Sequence, residues 1–388
     1  MTIEFGPPRG DDELETLGGI LGWSFGFDPA DARVWLDLGG TSNVRIARRG
    51  GRVIGGLLEI PMGQWFGGRS VPTLGVAGVG VAPEARGERV ALSLMLDTLR
   101  SARRRGTLLS ALYPATLTLY RAAGYELAGS RYRITANLAD LPTQRPDLDV
   151  SPLEPGDASA VEALYAKVAS ERPGYLDRGP YVWRRARESR KERYRGFAVR
   201  GPGGLEGYAY VSQRGSEDAR ELVVHDCVTA TQAAAQRLTA LFADHRSTIK
   251  SLLVRGGAVD PIVFVAPERV FSVTRAETWM LRVLDVVGAL EARGYPPVDT
   301  AVDFELTDRT LPENAGRYRL EVAGGRARVT PGGAGSVALD ERALAALYTG
   351  FLGPLALARA GKLEGEPGAL ARLALLFAGP PPAMSDYF

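Results

Sequence analysis

The stretch Val79-Gly80-Val81-Ala82-Pro83-Glu84-Ala85-Arg86-Gly87-Glu88-Arg89-Val90-Ala91 constrains the fold of this chain more than any other. An apolar strand stops at a proline, turns at Arg-Gly and passes straight into a leucine-rich segment. There Leu92, Met95, Leu96 and Leu99 recur at i, i+3, i+4 and i+7, with Ser93, Asp97, Arg100 and Arg104 on the other faces. That is the period of a helix with one buried stripe. A strand delivered into a helix gathers backbone N–H groups at the positive end of the helix dipole. Pyrophosphate is the natural ligand of such a point. An ordinary strand-to-helix turn with a solvated arginine satisfies the same residues, so the segment by itself leaves both readings open.

Downstream, residues 107–112 read as a buried strand and Tyr113-Pro114-Ala115-Thr116 as a turn. Residues 117–123 read as a short helix closed by Gly124, with another strand from Tyr125. On these residues (V-A-P-x-x-R-G, a helix, a strand, then L-Y-R-x-x-G-Y) the chain resembles the acetyl-coenzyme A core of the Gcn5-related N-acetyltransferases. Within them it is most similar to the enhanced intracellular survival (Eis) acetyltransferases, along its whole length. The resemblance implies an α/β and α+β chain: tandem Gcn5-related folds, each a mixed central sheet flanked by helices, then a sterol carrier protein-like domain. It implies acetyl-coenzyme A as co-substrate, held by Val79, Gly80 and Val81, by Arg86, Gly87, Glu88, Arg89, Val90, Ala91 and Leu92, and by Ala115 and Thr116. One residue departs from the superfamily pattern (Gln/Arg)-x-x-Gly-x-(Gly/Ala): Arg89 stands where the central glycine belongs. Its Cβ crowds a phosphate, whereas its guanidinium adds a charge contact.

Composition narrows the setting. With 47 Lys and Arg against 45 Asp and Glu, the net charge of +2 argues against bulk nucleic-acid binding. The single cysteine, Cys227, excludes an internal disulfide and fits a reducing compartment; its apolar surroundings make it a core residue. The two histidines, His225 and His245, have no Cys/His cluster about them, so no metal is expected. No apolar run approaches the roughly 20 residues that span a bilayer, and no signal peptide opens the chain. A cytoplasmic enzyme without membrane or nucleic-acid partners is expected.

Three blocks follow: 1–145, the catalytic domain; 146–280, a degenerate copy; and 281–388, the sterol carrier-like domain. In the first, helices are expected at 11–21 and 29–38, strands at 43–48, 52–60 and 71–81. Gly75, Gly78 and Gly80 in the last of these point to a bulge or a close backbone approach. The second block, after the linker 141–146, repeats the order: helix 157–170, strands 197–200, 205–212 and 221–228, and a helix from Gln232. Its junction reads Val228-Thr229-Ala230-Thr231, without the Pro-x-x-Arg-Gly turn. A basic helix at 183–195 is a solvated face, an intersubunit contact or an anion site. The third block alternates a helix at 283–293, strands at 300–306, 317–322 and 326–330, and helices at 341–348 and 369–377. Its apolar faces are core or a lipid pocket.

The chain ends Gly379-Pro380-Pro381-Pro382-Ala383-Met384-Ser385-Asp386-Tyr387-Phe388. Most termini fray, but a stiff polyproline spacer followed by apolar anchors is built to dock. In the resembled family the terminal phenylalanine's α-carboxylate is the general base. Carried over, Phe388 is the base and Tyr120 the general acid, protonated at neutral pH since a free phenol has a pKa of about 10. The other reading of Tyr120 is a core aromatic. Asp28, Trp35 and Asp386, with Tyr387, are candidate walls for the amine, a polycationic aminoglycoside-like acceptor, a protein lysine or a polyamine. The resemblance also implies a homo-oligomer, a homohexamer. A catalytically impaired scaffold or lipid-binding protein is the alternative.

Overall fold

The computed structural model describes residues 2–189, 192–216 and 219–388. The chain forms two compact units, residues up to 128 with 279–379 and 388, and residues 129–278 with 380–387. Each builds its own apolar core.

The first unit opens with β1 (Ile3–Gly6), α1 (Asp11–Phe25) and α2 (Pro29–Gly39). α1 stops on Gly26, whose left-handed φ of +72° lets its N–H return to the Gly22 carbonyl. α2 starts with Pro29 in its first turn and the Asp28 carboxylate accepting from the Ala30 N–H at 2.8 Å. Then β2 (Val44–Arg49), β3 (Arg52–Phe66) and β4 (Arg69–Val81) lie antiparallel in the order β1-β2-β3-β4. α3 (Val90–Arg104) crosses over to β5 (Leu109–Leu112), parallel to β4, and α4 (Leu117–Ala122) follows. The buried face of α3 is Leu94, Met95, Thr98 and Leu99, whereas Leu92 and Leu96 are only partly covered. The apolar stripe is wider than the buried one, and Leu94, absent from the i, i+3, i+4 series, supplies its centre.

The second unit holds β6 (Glu126–Asn137) from residue 129, β7 (Asp149–Pro152), α5 (Ala158–Ser170), β8 (Leu176–Asp177) and α6 (Pro180–Arg187). Next come β9 (Arg195–Gly201), β10 (Gly204–Arg214), β11 (Glu221–Thr229), α7 (Gln232–Ala243), β12 (Ser251–Gly256) and α8 (Pro261–Phe264). β7, β9, β10 and β11 are antiparallel neighbours and β12 runs parallel to β11, the order of β1 to β5 repeated. The last strand of each sheet comes from elsewhere in the chain. β6 pairs antiparallel with β12 in the second unit, and residues 280–283 of β13 (Ser272–Val283) pair with β5 in the first. The basic segment is helical only to Arg187; Glu188 then turns extended and bridges Arg193. Arg190 and Lys191 of that expected helix lie outside the described residues.

The first unit closes with α9 (Val286–Ala292), β14 (Thr300–Thr307), β15 (Gly316–Ala323), β16 (Arg326–Pro331), β17 (Val337–Asp340), α10 (Glu341–Thr349), α11 (Pro354–Arg359), β18 (Leu363–Gly365) and α12 (Pro367–Leu376). A five-stranded sheet, β16-β15-β14-β17-β18, packs under these helices. Between them, the void bounded by Leu290, Phe304, Leu344, Leu373 and Phe377 amounts to about 10 Å³. That holds about one water at most, and the side chains around it are packed as core. Among the described residues no helix is long and apolar enough to cross a membrane.

Candidate active site

β4 and β5 pair only from Thr73↔Leu109 to Gly75↔Ala111. β5 then ends at Leu112, while β4 runs on to Val81, held on its other side by β3. The result is a fork in which β4 beyond Gly75 has no strand on that edge among the described residues. The three glycines mark it as expected. The β3–β4 register slips between Gly56↔Gly80 and Leu58↔Ala77, a bulge at Gly78 and Val79, with Gly78 at φ +59°. A Cβ on Gly78 would lie 2.5 Å from the Trp35 ring, so Trp35 of α2 packs onto the bulge. A Cβ on Gly80 would meet Leu21 at 2.6 Å, and one on Gly75 would meet the Phe388 ring at 2.9 Å.

Beyond Val81 the chain makes one 3-10 turn, Pro83–Ala85, then an exposed loop, Arg86 to Arg89. The Arg86 guanidinium folds back, donating from Nε to the Val81 carbonyl (3.2 Å) and from Nη2 to Ser24 Oγ (3.3 Å). Gly87 sits at φ +83° with nothing within 4 Å of where a Cβ would stand. Arg89 sits at φ +58°, the one non-glycine with positive φ among the described residues. Holding a non-glycine residue in this left-handed conformation costs roughly 1–2 kcal/mol. The Ser93 N–H takes the Arg89 carbonyl at 3.0 Å. Val90, Ala91 and Leu92 form the first helical turn, whose amides have no intrahelical acceptor. Glu88, the acid in this loop, is neutralised by Arg49 at 2.5 Å. The arrangement fits an anion at the start of α3.

The corresponding junction of the second unit is closed. The Thr231 hydroxyl accepts from the Ala234 N–H (3.1 Å) and donates to Glu206 (2.8 Å). Thr231 caps its own helix, and a carboxylate stands where a phosphate would have to approach.

Tyr120 lies on α4, 6% exposed, its ring edge-on to Tyr125 at 6.1 Å. Burial pushes its pKa up to about 12. Its hydroxyl has no hydrogen-bond partner among the described residues, whereas the Tyr125 hydroxyl is tied to Ser110 Oγ at 2.7 Å. Ser110 Oγ in turn donates to the Leu74 carbonyl at 2.9 Å, one residue before the fork's apex. Phe388 is 8% exposed, its ring on Gly75 and edge-on to Tyr113 at 5.8 Å. Tyr120 and Phe388, 268 positions apart in sequence, thus both belong to the structure around Leu74 and Gly75. Ala115 and Thr116 lie exposed between β5 and α4.

The acceptor candidates fare differently. Trp35 is placed on β4, and Asp28, exposed at the head of the same helix, spends one oxygen on capping it. Asp386 is buried in the second unit with its carboxylate engaged by Arg178 and Tyr165. Sequence reasoning missed Trp23 (72% exposed) and the stacked pair Phe25 and Phe27, 5.9 Å and 7° apart, beside Asp28. Three aromatics at alternate positions across the end of α1 and its connection to α2 were the available signal. It also missed Tyr113, which immediately follows β5 and nothing in its local pattern singles out.

Residues 10–128 match the family described as an acetyltransferase (GNAT) domain, residues 174–283 a second family of that description, and residues 286–385 a sterol carrier protein domain. The chain is 32% identical over 337 residues to an uncharacterised N-acetyltransferase of Streptomyces coelicolor, covering 80% of this chain and 79% of that one. It is 25% identical over 373 residues to the N-acetyltransferase Eis of Mycobacterium tuberculosis, covering 89% and 88%. A solved Gcn5-related N-acetyltransferase of Anabaena variabilis matches the whole of both chains at 34% identity with a TM-score of 0.95.

Proposed function

We propose that this chain, which belongs to the Eis-like Gcn5-related N-acetyltransferases, transfers the acetyl group of acetyl-coenzyme A directly to a primary amine. The observation that carries the reading is the seat of Phe388, the last residue, against Gly75 at the apex of the β4–β5 fork. That seat puts the ring of residue 388 at the fork, beside the open strand edge, and supports reading its carboxylate as the base.

Acetyl-coenzyme A supplies an activated acyl thioester, and this chain's residues do the rest. The amides from Gly87 to Leu92, with Arg86 and Arg89 beside them, hold the pyrophosphate. The free edge at Val79, Gly80 and Val81 takes the pantetheine arm as a strand would, and its N–H groups polarise the thioester carbonyl. Ala115 and Thr116 line the opposite wall. The Phe388 carboxylate accepts a proton from the ammonium, directly or through one water, leaving a neutral amine to attack. As the C–N bond forms and the C–S bond breaks, Tyr120 donates its hydroxyl proton to the departing sulfur. The proton shed by the acylated nitrogen restores it. At about 12, Tyr120 is wholly protonated at neutral pH and rests as a desolvated donor.

The acceptor we favour is a polycationic, aminoglycoside-like amine. Trp23, Phe25 and Phe27 offer π-faces to cations and Asp28 a carboxylate, whereas Trp35 is buried against β4. A protein lysine or small polyamine is the competing acceptor. The single cysteine fits the cytoplasm, and the resemblance gives a homohexamer, read directly by light scattering on an eluting column. The deciding experiment is thiol release from acetyl-coenzyme A against a panel of amines. Turnover with polycationic amines above lysine peptides is expected, and no release with any amine would overturn the reading.

A further inference from the structure

In the second unit, β11 pairs in parallel with β12 only from Glu221↔Ser251 to Val224↔Val254, and then runs on to Thr229 held on its other side by β10. This is the counterpart of the β4–β5 fork. His225 is the extra residue of a bulge against β10, and Asp226 follows it. What fills this fork is a charge cluster and the chain's own tail. Arg178 donates to both oxygens of Asp226, from Nη1 at 2.7 Å and Nη2 at 2.8 Å, and Tyr208 donates to Asp226 Oδ2 at 2.9 Å. The same guanidinium grips Asp386, with Nη2 2.9 Å from Oδ1 and Nε 3.1 Å from Oδ2. The Tyr165 hydroxyl stands 3.2 Å from Asp386 Oδ2, and the Tyr165 ring lies under the guanidinium at 3.7 Å. Arg178, Asp226 and Asp386 are all at least nine-tenths buried.

The residues before Asp386 are seated one by one. The Ser130 N–H donates to the Pro382 carbonyl (3.2 Å), the Ala383 N–H to Pro173 (2.9 Å) and the Met384 N–H to Ser130 (3.2 Å). Arg131 Nε donates to the Ser385 carbonyl at 3.0 Å, and its guanidinium lies over the Tyr387 ring at 5.3 Å. An unanchored terminus frays; this one is tied through every residue from 382 to 387. A neutral socket would let the segment slip by a residue, but one buried cation shared by two carboxylates admits a single register, since any shift strands a charge without water.

We propose that Arg178, itself fixed by Asp226, is a positioning residue for catalysis: it locks Asp386 and thereby sets the register in which the Phe388 carboxylate, two residues on, is presented. The inference rests on the reading of that carboxylate as the general base. It also assigns a use to the degenerate acetyltransferase copy, whose fork has become a socket for the tail.

The test is a double-mutant cycle between Asp386→Asn and a chain truncated after Tyr387, reading kcat, KM for the amine and the acetyl-coenzyme A Kd. Asp386→Asn is expected to lower kcat at least tenfold in the full chain with coenzyme Kd within twofold, and to have no further effect once Phe388 is gone. It should also speed release of Phe388 and Tyr387 by carboxypeptidase at least tenfold. An equal loss of kcat in both backgrounds makes the cluster merely structural and overturns the proposal, as does unchanged carboxypeptidase release. If truncation alone leaves kcat unchanged, the base reading itself has failed and the inference goes with it. If truncation lowers kcat but Asp386→Asn does not, only the inference fails. Should Asp386→Asn not fold, Tyr165→Phe, which removes a hydroxyl shared between Asp386 and the Leu176 carbonyl, decides in the same direction with a smaller drop.

Discussion

The rings of Tyr113 and Phe388 meet edge to face, 5.8 Å between centroids and 62° between planes. Tyr113 is the first residue past β5, and the same Phe388 ring closes over Gly75, the last residue of β4 to pair with β5. The aromatic pair therefore plugs the closed end of the fork and anchors the terminus at that point.

Gly75→Ala tests that seat. Its Cβ would stand 2.9 Å from Phe388 Cε2, 3.1 Å from Ile60 Cβ and 3.2 Å from Met62 Cε, so the ring, the nearest of the three, has to move. Overpacking of this kind costs about 1–3 kcal/mol. We expect kcat to fall at least tenfold with the calorimetric Kd for acetyl-coenzyme A changed less than twofold. Wild-type kcat would detach the ring's seat from turnover.

Tyr120→Phe should lower kcat by roughly 10²- to 10⁴-fold, the range of a lost general acid. Because the Tyr120 hydroxyl bonds to no described residue, the fold has nothing to lose, and circular dichroism and the melting temperature should stay at wild type. A variant that turns over normally would return Tyr120 to the core.

Alkaline stability follows from the same burial. Tyr120 has its pKa raised from about 10 in the unfolded chain to about 12 in the folded one. Below pH 10 both states hold the proton and stability is full. It is lost as pH rises through 12, because the unfolded chain ionises first. Tyr165, Tyr208 and Tyr348 are raised by burial in the same sense. The urea midpoint should therefore fall steeply between pH 10 and 12, less so in Tyr120→Phe. A flat profile there would contradict the burial of these phenols.

Arg89→Gly should relieve the φ of +58° and stabilise the chain by about 1 kcal/mol, read as a rise in melting temperature. The same change should weaken acetyl-coenzyme A binding several-fold and flatten its salt dependence, since a cation beside the pyrophosphate is lost. Tighter binding would show instead that the Arg89 side chain obstructs the phosphates.

Coenzyme titration should give one site per chain. The second junction is capped by Thr231 and guarded by Glu206, whereas the first is open at Gly87. A stoichiometry of two would mean that the self-capped junction opens on binding.

Most helices and strands of the first and second blocks stand where hydrophobic period, glycine and proline place them, because these signals act within a few residues. α1 runs four residues past its expected end to Phe25, until Gly26 stops it. β12 went unnoticed: between Ser251 and Gly256 only Leu252, Leu253 and Val254 are apolar, and the strand character comes from pairing with β6 and β11. Arg178 and Asp226 were invisible as a pair for a related reason. A charge inside the apolar run 222–228 demanded a partner, but nothing local says that it lies 48 residues earlier.

The sequence by itself determined the repeated strand–helix order, the Pro-x-x-Arg-Gly turn into α3 and the terminal aromatic, since each is written in neighbouring residues through φ preference and periodicity. Only the tertiary structure decided that β13 closes the sheet of β5 while β6 closes that of β12. It alone decided that the second fork holds Arg178 and the tail, and that Phe388 comes to rest on Gly75. Edge pairing and buried charge depend on what is left unpaired once the rest has folded, and that is a property of the whole chain.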